Sequence, residues 1–187
     1  MLKKMILLGI VLIALLGAGT ALVYKREASL TLRIKQYHSA VSAQDFETAY
    51  NLANQLAADG YLPAHGFLAM LYENGTGVIQ NMDIAVAQYK LAAMSGDAAA
   101  QTHLAGLYLS GKGVEESQTM AVHWYEKAAA QNHPEAQYEL GRLYQNGTLK
   151  TEDTNKARTL LMGASQGGYA RANTILANMD ASELGLR

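Results

Sequence analysis

Small and apolar residues return along this chain at a fixed interval of 36. Ala64, Ala100, Ala136 and Ala172 form one column. Four residues on stand Leu68, Leu104, Leu140 and Leu176, and one further on Ala69, Ala105, Gly141 and Ala177. Leu71, Leu107, Leu143 and Met179 follow, then Tyr72, Tyr108 and Tyr144, then Gly75, Gly111 and Gly147. In the second half of the unit Ala85, Ala121 and Ala157 keep the period, as do Ala92, Ala128 and Ala164. So many columns held without one insertion mark internal duplication, and a period of this size marks a repeat architecture.

The spacing inside a unit is helical. Counted from the first alanine as position 0, positions 0, 4, 7 and 8 are apolar, which lines one side of a 3.6-residue helix. Pro63 and Pro134 stand at its start, where proline forfeits no hydrogen bond. Glycine stops it by taking the left-handed conformation cheaply. A second stripe at positions 21, 25 and 28 (Ala85, Tyr89, Ala92; then Ala121, Tyr125, Ala128) predicts a second helix. Alanine or glycine at positions 0, 5, 21 and 28 lets two backbones approach closely. The position-8 tyrosine then fills space between units, its hydroxyl free to reach a polar partner. One pair cannot bury its own stripe, whereas stacked pairs can. The expected fold is therefore all-α, an αα-hairpin solenoid.

The register also runs backwards. Ala49, Leu56, Ala57 and Gly60 lie 36 residues before Ala85, Ala92, Ala93 and Gly96. Residues 45–58 read as the second helix of an earlier, degenerate unit. Residues 26–43 read as its first helix, with Ala28 and Leu32 in register but Lys35 and Gln36 where Leu71 and Tyr72 stand later. The organisation expected is an anchor over 1–24, a degenerate repeat over 25–63, repeats over 64–99, 100–135 and 136–171, and a capping helix with tail over 172–187.

The anchor rests on an uncharged apolar run from Met5 to Val23 behind Lys3 and Lys4. As a helix it would span about 28 Å, close to the roughly 30 Å hydrocarbon core. A cleavable signal would have a shorter apolar stretch; Gly19-Thr20-Ala21 is a passable cleavage site, but the run continues through it. A retained single-pass membrane helix over 5–23 is the reading the length favours. Lys25, Arg26, Arg33 and Lys35 on the far side favour, by count, a cytoplasmic repeat domain. A short basic head before a long apolar run is also how export signals begin, and an exported, extracytoplasmic domain is the reading preferred. The same basic residues could touch anionic headgroups or be a solvated flank.

Charge and chemistry narrow the function. The formal net charge is −1, and setting Lys3 and Lys4 aside leaves 13 basic against 16 acidic residues. Such a balance argues against nucleic acid as partner. With no cysteine there is neither a disulfide framework nor a thiolate metal site. His38, His65, His103, His123 and His133 fall at unrelated repeat positions and form no ligand pair, so no metal or cofactor is expected. Gly75-Thr76-Gly77 and Gly111-Lys112-Gly113 follow helices rather than strands, and so are inter-helix turns rather than phosphate loops. Asn74-Gly75-Thr76 and Asn146-Gly147-Thr148 match the glycosylation sequon, but Asn-Gly is equally a helix-ending pair. No nucleophile elbow is present.

Three near-complete units carry a family resemblance. They run from Ala64 through Leu71-Tyr72 and Gly75 to Val78, from Ala100 through Leu107-Tyr108 and Gly111 to Val114, and from Ala136 through Leu143-Tyr144 and Gly147 to Leu149. The best second-helix signature is Ala121-Val122-His123-Trp124-Tyr125-Glu126-Lys127-Ala128-Ala129. The chain resembles the Sel-1-like repeat family, relatives of the tetratricopeptide repeats, over about 26–180. It departs where Leu149 replaces the second loop glycine and Leu160-Leu161 replaces the aromatic pair. The resemblance implies a right-handed superhelix and an adaptor or scaffold that binds protein or peptide, not an enzyme. By tetratricopeptide analogy first helices line the inner surface. The residues expected to face that groove are Met70, Glu73 and Asn74, then Thr102 and Leu109, then Tyr138, Arg142 and Gln145, with Gly66, Gly106, Ser110 and Asn146 beside them. Tyrosine and arginine are common binding anchors. Two other classes stay open. An envelope enzyme would need two facing carboxylates, with Glu73 and Glu139 as the candidates on first helices. Self-association could use the stack's ends.

Overall fold

The computed structural model describes residues 23, 25–146 and 153–183, and every regular element among them is an α-helix. The chain divides into two compact units, Met1–Gly60 and Tyr61–Arg187.

The first unit contains one helix pair, α1 over residues 25–42 and α2 over Phe46–Ala58. Ala28 and Leu32, which keep the repeat register, are exposed; the buried residues of α1 are Tyr37 and Ala40. The aromatic residue thus sits one place later than the period predicts, because Lys35 and Gln36 cannot be buried without partners. Ala49, Ala53 and Leu56 of α2 are buried. Two of the four basic residues near the start of α1 turn towards the end of α2: Arg33 pairs with the Asp59 carboxylate and Arg26 donates to the Asp59 carbonyl at 3.4 Å. Of the apolar run 5–23 only Val23 is among the described residues. No helix among those residues is long and apolar enough to cross a membrane.

The second unit stacks seven helices: α3 Ala64–Asn74, α4 Met82–Met94, α5 Ala98–Ser110, α6 Gln118–Ala129, α7 Pro134–Gln145, α8 Thr154–Gln166 and α9 Arg171–Glu183. Each of α4 to α8 packs on the helix before it and the helix after it, and α3 and α9 close the two ends of the series. The columns of small residues are the reason. Ala64, Ala136 and Ala172 on first helices and Ala85, Ala92, Ala121, Ala128, Ala157 and Ala164 on second helices have no exposed surface. Leu68, Leu104 and Leu140 fill the seam beside them.

Two further columns set the helix ends. Asp45, Asn81, Ser117 and Asp153, again 36 apart, cap the second helices: each side chain accepts a hydrogen bond from the backbone N–H three residues on. This satisfies one of the amides a helix start leaves open. At the other end Gly60, Gly96, Asn132 and Gly168 all have positive φ. The chain reverses there in a left-handed residue, which glycine and asparagine adopt at least cost. Gly75 and Gly111 likewise end α3 and α5 in the left-handed conformation, so Asn74-Gly75 is a helix end. Leu149, the departure from the loop pattern, lies outside the described residues.

The third repeat departs from the tyrosine column with Leu161, and a matching change stands opposite. Position 5 is Ala69, Ala105 and then Gly141. A Cβ on Gly141 would stand 2.9 Å from Leu161 Cγ and 3.2 Å from the Ala157 carbonyl oxygen. Leu161 is itself fully buried and cannot retreat. Gly141→Ala should therefore lower stability by about 1–3 kcal/mol, as overpacking does, although alanine is the better helix former. Urea denaturation followed by circular dichroism checks this; a more stable variant would refute the tight contact.

Candidate functional site

The residues expected to face a groove fall into three different environments. Met70 is open, with 43% of its surface exposed, and Asn74 is exposed at the end of α3. Thr102 is 6% exposed: its hydroxyl donates to the Ala98 carbonyl at 2.8 Å and lies 3.1 Å from His133 Nδ1. It has no accessible side chain to offer, because the start of the next first helix covers it. Tyr138, one period later, is half-buried against Tyr169, with ring centroids 4.8 Å apart. Leu109 and Gln145 are half-buried.

Glu73 is the hub of a polar cluster that the repeat pattern does not reveal. Tyr89 donates to its Oε2 at 2.8 Å and Lys112, from the following repeat's loop, to its Oε1 at 2.9 Å. Gln80 donates to its backbone carbonyl at 2.8 Å. His103 stacks on Tyr89, with centroids 5.3 Å apart and planes 20° from parallel. Burial pushes the Glu73 pKa up. The hydrogen bonds from Lys112 and Tyr89, with the charges of Lys112 and His103, outweigh burial and hold it below the ordinary glutamate value.

A second cluster occupies the corresponding place one repeat on. Arg142 donates from Nε and one terminal nitrogen to Glu139 Oε2, at 3.1 and 2.8 Å. The hydrogen bond to Glu139 raises the Arg142 pKa. Tyr125 takes the place of Tyr89, and its ring is buried with 4% of the residue exposed. Burial pushes its phenol pKa well up, Glu139 adds to the rise and Arg142 opposes it. No hydrogen bond reaches the Tyr125 hydroxyl from any described residue, because Leu109 stands where Glu73 stood. Among the described residues outside α5 the hydroxyl is the one atom within 4 Å of where a Gly106 Cβ would be, at 3.6 Å. A third cluster joins Tyr144 to Lys156, whose Nζ donates to the Tyr144 hydroxyl at 2.5 Å, and to Glu126, which accepts from that hydroxyl at 3.4 Å. This is the polar partnership expected of a position-8 tyrosine.

The structure thus joins Tyr138 and Arg142 into one neighbourhood and ties Glu73 to residues absent from the expected set: Tyr89, His103 and Lys112. One signal was available. A tyrosine in a buried column needs a hydrogen-bond partner, and a glutamate at position 9 of the paired helix supplies one. As acid–base groups the two carboxylates are poorly placed. Each is held by a cation, and Glu73 is shifted away from the value a general acid needs. Among the described residues no three His, Asp or Glu side chains gather as a metal site.

Capped helix pairs stacked on alanine columns define an αα-repeat protein. The model of the Sel1 repeat matches residues 62–97, 98–133 and 134–167, so the chain belongs to the Sel1 repeat family. Among solved structures it is similar to a Sel1 repeat protein from Oxalobacter formigenes, with a TM-score of 0.75 and 24% identity, over 80% of this chain and 61% of that one. It is also similar to c5321, a protective antigen present in uropathogenic Escherichia coli strains displaying an SLR fold. There the TM-score is 0.67 and the identity 26%, over 73% of this chain and 29% of that one. The chain therefore spans about three fifths of the first relative and under a third of the second. No curated protein matches it.

The Glu73 cluster gives a test with a defined sign. Its carboxyl pKa is lower folded than unfolded, so its stabilisation is complete above the ordinary glutamate value and is lost as pH falls through the depressed native value. Glu73→Gln should cost about 1 kcal/mol at neutral pH, and the difference should shrink as pH falls below the ordinary glutamate value. Thermal melts across pH 3–8 check this; a constant difference would show that the carboxylate charge is not what stabilises.

Proposed function

We propose that this chain is a membrane-anchored Sel1 repeat scaffold that holds a protein or peptide on the inner face of its first helices. Sel1 repeat proteins are generally protein-interaction scaffolds. The observation that carries the reading here is the neighbourhood of Tyr138, Arg142 and Tyr125. Tyr138 and Arg142 stand outside the packing columns and are partly open, beside the buried ring of Tyr125, so the neighbourhood combines aromatic surface with a guanidinium. Such groups anchor interfaces because tyrosine offers large contact area at low entropic cost and arginine a planar fork of donors. Right-handed superhelical stacking would turn Met70, Leu109, Tyr138 and Arg142 towards one concave surface. The carboxylate environments described above speak against the envelope-enzyme reading.

The apolar run 5–23 carries the anchor, since its length matches a single crossing. The short basic head of Lys3 and Lys4 before that run is how export signals begin, and on this reading the repeats lie outside the cytoplasm and the partners are envelope or secreted proteins. Tethering would hold the repeats within reach of the membrane whatever they bind.

Two measurements test this. A single cysteine placed by Ser110→Cys, at an exposed position of a chain that has no other thiol, should react with a membrane-impermeant reagent on intact cells, while the protein remains in the membrane fraction. Protection until detergent is added would place the repeats in the cytoplasm. Tyr138→Ala with Arg142→Ala should cut crosslinked partner recovery about tenfold or more; undiminished recovery would remove the inner face from the proposal.

A further inference from the structure

Neighbouring repeats dispose of the same tyrosine in opposite ways. In the first, Tyr89 gives its proton to Glu73, and Lys112 closes the other side of that carboxylate. In the second, the three residues around the phenol have changed together. Glu73 becomes Leu109, which accepts nothing. Met70 becomes Gly106, which fills nothing. His103, the stacking partner of Tyr89, becomes Glu139. The phenol itself is kept as Tyr125, and its ring is buried.

The outcome is a notch with a polar floor. Gly106 leaves open the space that a side chain would fill, and the Tyr125 hydroxyl is what a side chain would meet there. The fully enclosed side-chain nitrogens and oxygens without partners among the described residues are Arg33 Nε and Trp124 Nε1, so the hydroxyl of Tyr125, equally unpartnered, keeps an outlet to solvent. Ser110 is not available to fill it, since its hydroxyl donates to the Gly106 carbonyl at 2.9 Å. Arg142 and Glu139 act electrostatically on Tyr125 from α7.

We propose that the Gly106 notch is a recognition subsite in which the Tyr125 hydroxyl donates a hydrogen bond to a main-chain carbonyl of a bound extended peptide. This rests on the scaffold reading above and names the atom that does the holding. The chemistry selects an amide over an ion. Arg142 and Glu139 already neutralise one another, so a charged group entering beside them would be desolvated without a free counter-charge. A neutral carbonyl needs only a donor, and a phenol supplies one. Gly106 fits the same role, since the absence of a side chain lets a second backbone approach closely. Leu109 offers an apolar wall for the side chain next to that carbonyl.

The test uses the full-length chain in mild detergent and a phage-displayed library of random dodecapeptides. Enriched peptides are synthesised with a fluorophore and their Kd measured by anisotropy. Tyr125→Phe keeps the ring and removes only the hydroxyl. It should leave the melting temperature unchanged and weaken binding about three- to tenfold, the worth of one hydrogen bond. Gly106→Leu should block the notch. Leu109→Glu should re-create the pairing of Glu73 with Tyr89, raise the melting temperature and remove binding. Replacing peptide amides one at a time by esters, which accept more weakly, should weaken binding most at one position in the wild type, and that position should lose its distinction in Tyr125→Phe. If peptides bind equally to all three variants, the subsite is wrong and the scaffold reading stands. If no peptide is enriched, the peptide-binding reading itself fails and this inference with it.

Discussion

Everything in this structure depends on how closely two helices can approach through alanine. Ala85 and Ala92, Ala121 and Ala128, Ala157 and Ala164 have no exposed surface, and they face first helices whose own contact residues are alanine or glycine. A methyl group contributes little apolar area, so the gain is one of distance: backbones come close enough for many weak dispersion contacts. The leucine at position 4 then has a seam of fixed width to fill. A larger residue in any alanine column would widen that seam for its neighbours too, because each helix from α4 to α8 packs on both its predecessor and its successor.

That constraint divides the residues into two populations. Column residues are committed to packing, and the 36-residue period is the record of that commitment. Residues between the columns can vary from unit to unit, and this freedom is where the molecule differentiates itself. Position 9 is Glu73, Leu109 and Gln145; position 6 is Met70, Gly106 and Arg142. The same scaffold therefore carries a closed, self-satisfied polar cluster on one repeat and an open phenol on the next. The tyrosine at position 25 links the populations, since its ring belongs to the core while its hydroxyl emerges among the variable positions. Where the third repeat abandons it for Leu161, the core adjusts through Gly141 and no hydroxyl is presented.

The caps illustrate a quieter form of the same economy. Asp45, Asn81, Ser117 and Asp153 differ chemically, yet all accept a backbone amide bond at the start of a second helix. A column read only for apolar identity does not show them; a column read for side chains able to accept from an N–H does.

Helix pairs, their period, their small-residue interfaces and their stacking were legible in the amino-acid order, because local spacing and side-chain size dictate them. Membership of the Sel1 repeat family follows from those same columns. The first unit was legible only in outline. Its second helix kept the register, but in α1 burial passed to Tyr37 and Ala40, since a helix can rotate about its axis to hide the better apolar side when the expected positions are charged. The site was legible in part. Register could pick out the candidate positions but not their surroundings: Tyr138 is half-buried against Tyr169, whereas Thr102, at the same repeat position, is buried beside His133. The contacts of Glu73 with Tyr89 and with Lys112 join residues 16 and 39 positions apart. Only the packed helices decide which of them meet, because a side chain's partner is set by the seam it faces and not by its distance along the chain.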